Sequence, residues 1–199
     1  MTASFQPARV FDFRDKTAVV TGGGNGIGQG VAQALALAGA KVAVFDHDAQ
    51  AAKATCERIQ AQGGEAWPYT VDVTQEAQVT AAMQSFHDHV GHIDILINNA
   101  GIAIRRATLE LSVADWQKVL DVNLTGVFIC ARAAARFMVP RESGCIVNTA
   151  SIMGLSGGGL YPNISYQSTK GAVVNLTRAL AVEWAGAKVR VNAIAPTWV

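Results

Sequence analysis

Thr21-Gly22-Gly23-Gly24-Asn25-Gly26-Ile27-Gly28 is the stretch on which the reading of the whole chain turns. The apolar, β-branched run Thr17 to Thr21 leads into it and a helical pattern leaves it, which predicts a strand, a tight turn and a helix start. Glycines suit such a turn because they reach φ > 0 without strain and let the backbone come close to a bound group. The spacing G-x-G-x-x-G fits here in no register, whereas T-G-x-x-x-G-x-G fits without a gap.

A pyrophosphate at this turn would meet unpaired N–H groups at the helix N-terminus, so Gly22, Asn25, Gly26, Ile27 and Gly28 are candidate dinucleotide-binding residues. The alternative is a glycine-rich turn that packs a helix against a strand and binds nothing. The next strand favours a dinucleotide. Lys41 to Asp46 reads as a buried parallel strand ending in an acid about twenty residues after Gly26, where a carboxylate accepts bonds from adenosine ribose hydroxyls. Asp46 meets a 2′-phosphate with like charge, and the turn itself supplies no Arg or Lys to offset it. NAD is therefore expected over NADP.

The sequence has 199 residues, half of them hydrophobic, enough for one well-cored domain and too few for two ordinary ones. A net charge of +1 with no basic block suggests neither nucleic acid nor an anionic membrane surface as a partner. Met1 to Asp15 has no apolar core of signal-peptide length, and no apolar run reaches the roughly twenty residues of a membrane span. Cys56, Cys130 and Cys145, odd in number and without metal-type spacing, read as reduced core thiols of a cytoplasmic protein.

Strand-like and helix-like segments alternate throughout, which predicts one domain with a doubly wound parallel sheet of roughly six strands and helices on both faces. The helix from Gly26 is expected to bury a stripe of Ile27, Val31, Ala34, Leu35 and Ala38 and to close at Gly39. From Asp48, a candidate N-cap, a helix runs to Gln62, followed by a strand from Glu65 to Val71. At the end of that strand Asp72 either reaches an adenine amino group, with Val73 against the ring, or caps a helix beginning near Thr74; the two uses are compatible.

The helix Gln75 to Val90 ends near His87, His89 and His92, but His87 and His89 point to nearly opposite sides, so no metal is expected. The apolar strand Ile93 to Ile97 runs into Asn98-Asn99-Ala100-Gly101, where small residues leave room for a cofactor ribose. The other reading of that segment is a polar turn whose Asn side chains satisfy local backbone. Ser112 and Asp115 resemble a capping box opening a long helix to about Met138, ended by Pro140. Within it Asn123 is flanked by apolar residues and must be hydrogen-bonded if buried. Apolar residues on more than one face of this helix suggest a homo-oligomer, dimer or tetramer.

The strand Cys145 to Ala150 ends in Ser151, and a glycine-rich loop leads to Tyr166 and Lys170, which share a helix face at i, i+4. A phenol of ordinary pKa about 10 is a poor base near neutrality unless a cation favours its ionised form. Lowering it by roughly three units needs about 4 kcal/mol, which an ammonium in a partly desolvated cleft supplies. Tyr161 lacks a lysine four residues on and reads as substrate wall or packing.

Taken in order, the Thr21–Gly28 turn, Asp46, Asp72, Asn98 to Gly101, Asn123, Ser151, Tyr166 and Lys170 resemble the short-chain dehydrogenase/reductase family over nearly the whole chain. The resemblance implies a Rossmann-type, three-layer fold and an Asn-Ser-Tyr-Lys tetrad. Tyr166 is then the general acid/base, Ser151 orients the carbonyl or alcohol, and Lys170 lowers the tyrosine pKa and holds nicotinamide ribose hydroxyls. Asn123 holds a relay water, and Asn99, Ala100, Gly101 and Pro196 complete the cofactor site. Thr197 stands where the family often has glycine, and the sequence stops at Val199, so a chain lacking the family's substrate loop and last strand is expected, to be checked by intact mass. The implied activity is hydride transfer between NAD(H) and a secondary alcohol, polyol or ketone. Alternatives are a 3-oxoacyl-thioester reductase of the same family and a nucleotide-sensing binding protein without turnover.

Overall fold

Runs of Val, Ile, Ala and Phe at Thr17–Thr21, Lys41–Asp46 and Gly144–Thr149 are apolar on both faces, a pattern that only a sheet covered on both sides can bury. The computed structural model describes residues 11–157 and 161–197, so residues 1–10, Leu160 and Val199 lie outside the described part. The strands are β1 (Thr17–Thr21), β2 (Lys41–Asp46), β3 (Glu65–Thr70), β4 (Ile95–Asn98), β5 (Gly144–Thr149) and β6 (Val189–Ile194). They form one parallel sheet in the order β3-β2-β1-β4-β5-β6. Pro68, which has no N–H to give, falls on β3 at an edge, where a missing donor is tolerated.

The helices are α1 (Gly26–Leu37), α2 (Ala49–Ala61), α3 (Glu76–Val90), α4 (Val113–Leu120), α5 (Gly126–Met138) and α6 (Ile164–Glu183). Alternate strand residues feed two cores. Val19, Ala43 and Phe45 pack with Met83, Phe86, Ile129 and Met138 on one face; Ala18, Val20, Val42 and Val44 pack with Ala32, Ala52 and Ile59 on the other. Burying each larger side chain is worth roughly 1.5–3 kcal/mol, so the two cores fix which way every strand faces. Asp48 caps α2 by accepting from the N–H groups of Gln50 and Ala51, and the Ser112 hydroxyl accepts from Asp115 N–H at the start of α4. No helix among the described residues is long and apolar enough to cross a membrane.

Several details differ from the sequence expectation. The buried stripe of α1 is Gly28, Ala32 and Ala36; of the expected stripe, Ala38 just past the helix is buried, Ile27 is half-buried, Val31 and Leu35 are half-buried against the core, and Ala34 is exposed. Close approach to the sheet selects the smallest side chains for the contact line and leaves the larger ones to flank it. Asp72 does not cap α3. Its carboxylate accepts from the N–H and hydroxyl of Thr74 in a local turn, and α3 begins two residues later. The long helix predicted from Ser112 to Met138 is continuous but passes through a π-helical stretch at Asp121–Thr125, between α4 and α5.

Candidate active site

The crossovers leave the sheet in opposite directions from β1 and β4, which lie side by side, and a crevice opens outside their carboxyl ends. A cavity of ≈ 930 Å³ occupies it, lined by Gly22, Asn25, Gly26, Asp46, Asp72, Val73, Asn99, Ala100 and Gly101 among others. Residues from five separate stretches of sequence thus meet in one cleft. His47, Thr74, Ile102, Gln117, Lys118 and Asp121 also line it, and sequence patterning had not singled out the α4 residues among them.

Gly22 and Gly26 adopt φ of 62° and 55°, which glycine reaches without strain. A Cβ on Gly28 would fall 2.1 Å from Gly22 O, so this position admits nothing larger. Ile27 is half-buried beside it and does not line the cavity. Asn25 makes no side-chain capping bond at the start of α1 and no acid stands in the first turn, which leaves the helix N-terminus for an anion. Uncapped N–H groups, open space at Gly26 and a cavity of this volume fit a dinucleotide diphosphate.

Asp46 is 7% exposed. Its Oδ2 accepts from Gly24 N at 2.9 Å and its Oδ1 from Asp48 N at 3.0 Å, so the carboxylate fixes the glycine turn as well as facing the cleft. The exposed His47 ring sits 3.1 Å from Asp46 Oδ1. On the opposite wall the Thr21 hydroxyl accepts from Asn99 N and Ala100 N, while Asn99 Nδ2 donates to Thr21 O and Gly22 O. As the polar-turn reading expects, Asn99 satisfies local backbone; it also lines the cavity.

Asn123 and Lys170 lie at the Gly101 end of the cleft, with Tyr166 beside Lys170. Lys170 is 3% exposed, with its Nζ donating to Thr149 O at 2.6 Å and standing 5.5 Å from the centre of the Tyr166 ring. Burial pulls its ammonium down from 10.5 to about 8. Buried Ser151 accepts from Met153 N, and the turn after it lies so close to α6 that a Cβ on Gly154 would be 2.5 Å from the Lys170 carbonyl carbon. Pro196 holds this turn from the far side, its carbonyl accepting from Ile152 N at 3.3 Å.

Asn123 is fully buried in the π-helical stretch. Its Oδ1 accepts from Ile102 N at 2.8 Å, and its Nδ2 donates to Ile102 O and to the Thr169 hydroxyl. Thr169 in turn donates to Tyr166 O at 2.8 Å, a link that no sequence pattern announces. The histidines go to separate neighbours: His87 stacks on Phe137, His89 meets Trp67 edge-on, and His92 lies 3.1 Å from Asp94. Among the described residues no three His, Cys, Asp or Glu side chains converge on a metal site. Buried Cys56 and Cys130 have thiols pushed up to about 12 by desolvation.

A parallel sheet in this order, with a glycine turn and a cleft at its switch point, is the architecture of a dinucleotide-binding fold. The short chain dehydrogenase family model matches residues 16–199, and the chain belongs to the short-chain dehydrogenase/reductase family, whose members use nicotinamide cofactors. It is 40% identical over 190 residues to a 2-dehydro-3-deoxy-D-gluconate 5-dehydrogenase of Bacillus subtilis, covering 95% of this chain and 73% of that one. It is 38% identical to a 3-oxoacyl-[acyl-carrier-protein] reductase of Synechocystis, covering 92% and 74%. On the crystal structure of an NAD+-bound xylitol dehydrogenase, 36% identical, it superposes with a TM-score of 0.89, covering 94% of this chain and 71% of the other.

Proposed function

We propose that this protein is an NAD-dependent dehydrogenase of secondary alcohols or polyols, acting reversibly on the corresponding ketones. The observation that carries the reading is the buried Lys170 ammonium, held by Thr149 O within 5.5 Å of the Tyr166 ring. Held there, the Lys170 ammonium is placed to favour negative charge as it develops on the Tyr166 oxygen during proton transfer. When bound, the nicotinamide supplies the hydride acceptor or donor; the residues described here supply position and protons. Tyr166 removes the hydroxyl proton of the alcohol, or returns it to the ketone oxygen. Ser151 orients that oxygen through its hydroxyl. Both amide hydrogens of Asn123 are spent on Ile102 and Thr169, so toward a relay water its side chain offers an acceptor and no donor.

Asp46 supports NAD rather than NADP, since a 2′-phosphate at this carboxylate meets like charge with only the exposed His47 beside it. Gly22, Asn25, Gly26 and Gly28 would cradle the diphosphate, Asp72 and Val73 the adenine, and Asn99 to Gly101, Lys170 and Pro196 the nicotinamide half. Assembly as a dimer or tetramer is part of the same reading, supported by Phe128 on α5, 41% exposed under the Arg132 guanidinium. The relative named as an acyl-carrier-protein reductase favours a second reading, reduction of a 3-oxoacyl thioester. Initial rates with NAD and NADP over a panel of secondary alcohols, ketones and a 3-oxoacyl thioester separate the two. NAD-linked alcohol oxidation lost in Tyr166→Phe supports the first; NADPH-linked thioester reduction alone supports the second. Cofactor binding with no turnover on any substrate overturns both.

A further inference from the structure

Arg105 lies in the loop between β4 and α4, and its guanidinium carbon stands 4.0 Å over the centre of the Tyr161 ring. Both partners are anchored to the reacting end of the cleft. Ile102 exchanges two hydrogen bonds with Asn123, and a Cβ on Gly101 would sit 3.7 Å from Lys170 Nζ. Arg105 follows Gly101 by four residues, a reach of at most about 14 Å along extended backbone. Tyr161 comes from the opposite side, in the segment that enters α6 ahead of Tyr166. The contact therefore bridges the two loops that flank the Tyr166–Lys170 pair.

Among the described residues Arg105 and its neighbour Arg106 pair with no carboxylate, as is also true of Arg58, Arg136, Arg178 and Arg190; what sets Arg105 apart is its place over the Tyr161 ring beside the cleft. A guanidinium lying flat on a ring would keep its N–H fork in the plane, the geometry that grips a carboxylate through two parallel bonds. An arginine already ordered by a ring loses less freedom on capturing an anion than a free one. We infer that Arg105, stacked on Tyr161, is an anion-recognition group of the substrate site, and that the preferred substrates are alcohols carrying a carboxylate several bonds from the carbinol carbon. This inference rests on Tyr166 and Lys170 marking the reacting end.

The test pairs secondary alcohols with their carboxylated counterparts, such as 2-hexanol with 5-hydroxyhexanoate, and compares the unmodified enzyme with Arg105→Met and Arg105→Lys. The expected result is a kcat/KM at least about tenfold higher for the hydroxy acid, lost in Arg105→Met through KM and partly kept in Arg105→Lys, with neutral alcohols unaffected. Calorimetric titration of the enzyme–NAD complex with hexanoate reads the anion site without turnover; binding is expected, and its absence in Arg105→Met. Equal kcat/KM for both members of each pair, or an equal loss on both in Arg105→Met, would mean a clamp between loops and overturn the inference while leaving the dehydrogenase reading standing. Failure to oxidise any member of the panel removes that reading and the inference with it.

Discussion

The two ends of the cleft are built differently. At the end proposed for adenosine, Asp46, Thr21, Gly22 and Gly28 sit at strand ends and the first turn of α1, and each is tied by backbone hydrogen bonds or by a contact that tolerates no added atom. At the end proposed for substrate, Arg105, Tyr161 and Leu155 stand on loops, and Leu155 is 64% exposed. Tyr166 and Lys170 join the two halves, since they ride on α6 and Lys170 reaches Thr149 at the end of β5. The difference teaches that a rigid sheet edge fixes what is common to a fold, while loops, whose backbone is less constrained, carry discrimination between substrates.

The largest effect expected is at the junction. Tyr166→Phe should lower kcat by about 10³-fold or more, because only the proton-transferring oxygen is removed, while NAD affinity measured by fluorescence titration stays within a few-fold. Activity within tenfold of the unmodified enzyme would sink the acid/base role and dissolve the distinction between the two ends.

Lys170→Met should cost about 10²-fold or more in kcat and, unusually, change how stability depends on pH. The folded pKa is depressed to about 8 from 10.5, so between these values the unfolded chain holds more protons and stability rises with pH. Below that window the native state bears the whole cost of the buried ammonium, roughly 3 kcal/mol. Urea unfolding across the window should show a slope in the unmodified protein that flattens in Lys170→Met; identical slopes would mean that the ammonium is better solvated than its burial suggests.

At the adenosine end, the NAD over NADP preference in kcat/KM is expected at about 10²-fold and should shrink toward parity in Asp46→Ala. The same change strips the Gly24 and Asp48 N–H groups of their acceptor and should cost about 1–3 kcal/mol of stability. An unchanged cofactor ratio in a destabilised variant would leave Asp46 a purely structural acid. Gly28→Ala should weaken NAD binding by about tenfold, because the turn must shift to relieve the clash with Gly22 O, with a loss of roughly 1–3 kcal/mol in stability. The smallest effect belongs to Thr169→Val, expected to lower kcat a few-fold by loosening the link between Asn123 and the Tyr166 backbone. No change at all would show that α6 packing alone positions Tyr166.

Local chemistry made much of this legible. The caps at Asp48 and Ser112, the strand runs and the i, i+4 pair on α6 depend on neighbours close in sequence, where period and turn propensity act directly. The stripe on α1 was misjudged because hydrophobicity was weighed above size, and the sheet pulls in whichever residues permit the closest approach. Asp72 had two compatible readings, and the chain uses it for a turn one step before the helix.

By itself, then, the sequence determined the alternation of strands and helices, the glycine turn, the acid ending β2 and the Tyr–Lys spacing, all properties of segments shorter than a turn and its flanking elements. Only the tertiary structure decided that Thr21 holds the Asn99–Ala100 backbone, that Asn123 reaches Ile102 and Thr169 from a π-helical stretch, and that Arg105 meets Tyr161. Those contacts join residues between 21 and 79 positions apart along the chain. No local pattern encodes such a pairing, because it exists only once the sheet has brought the strand ends to one edge.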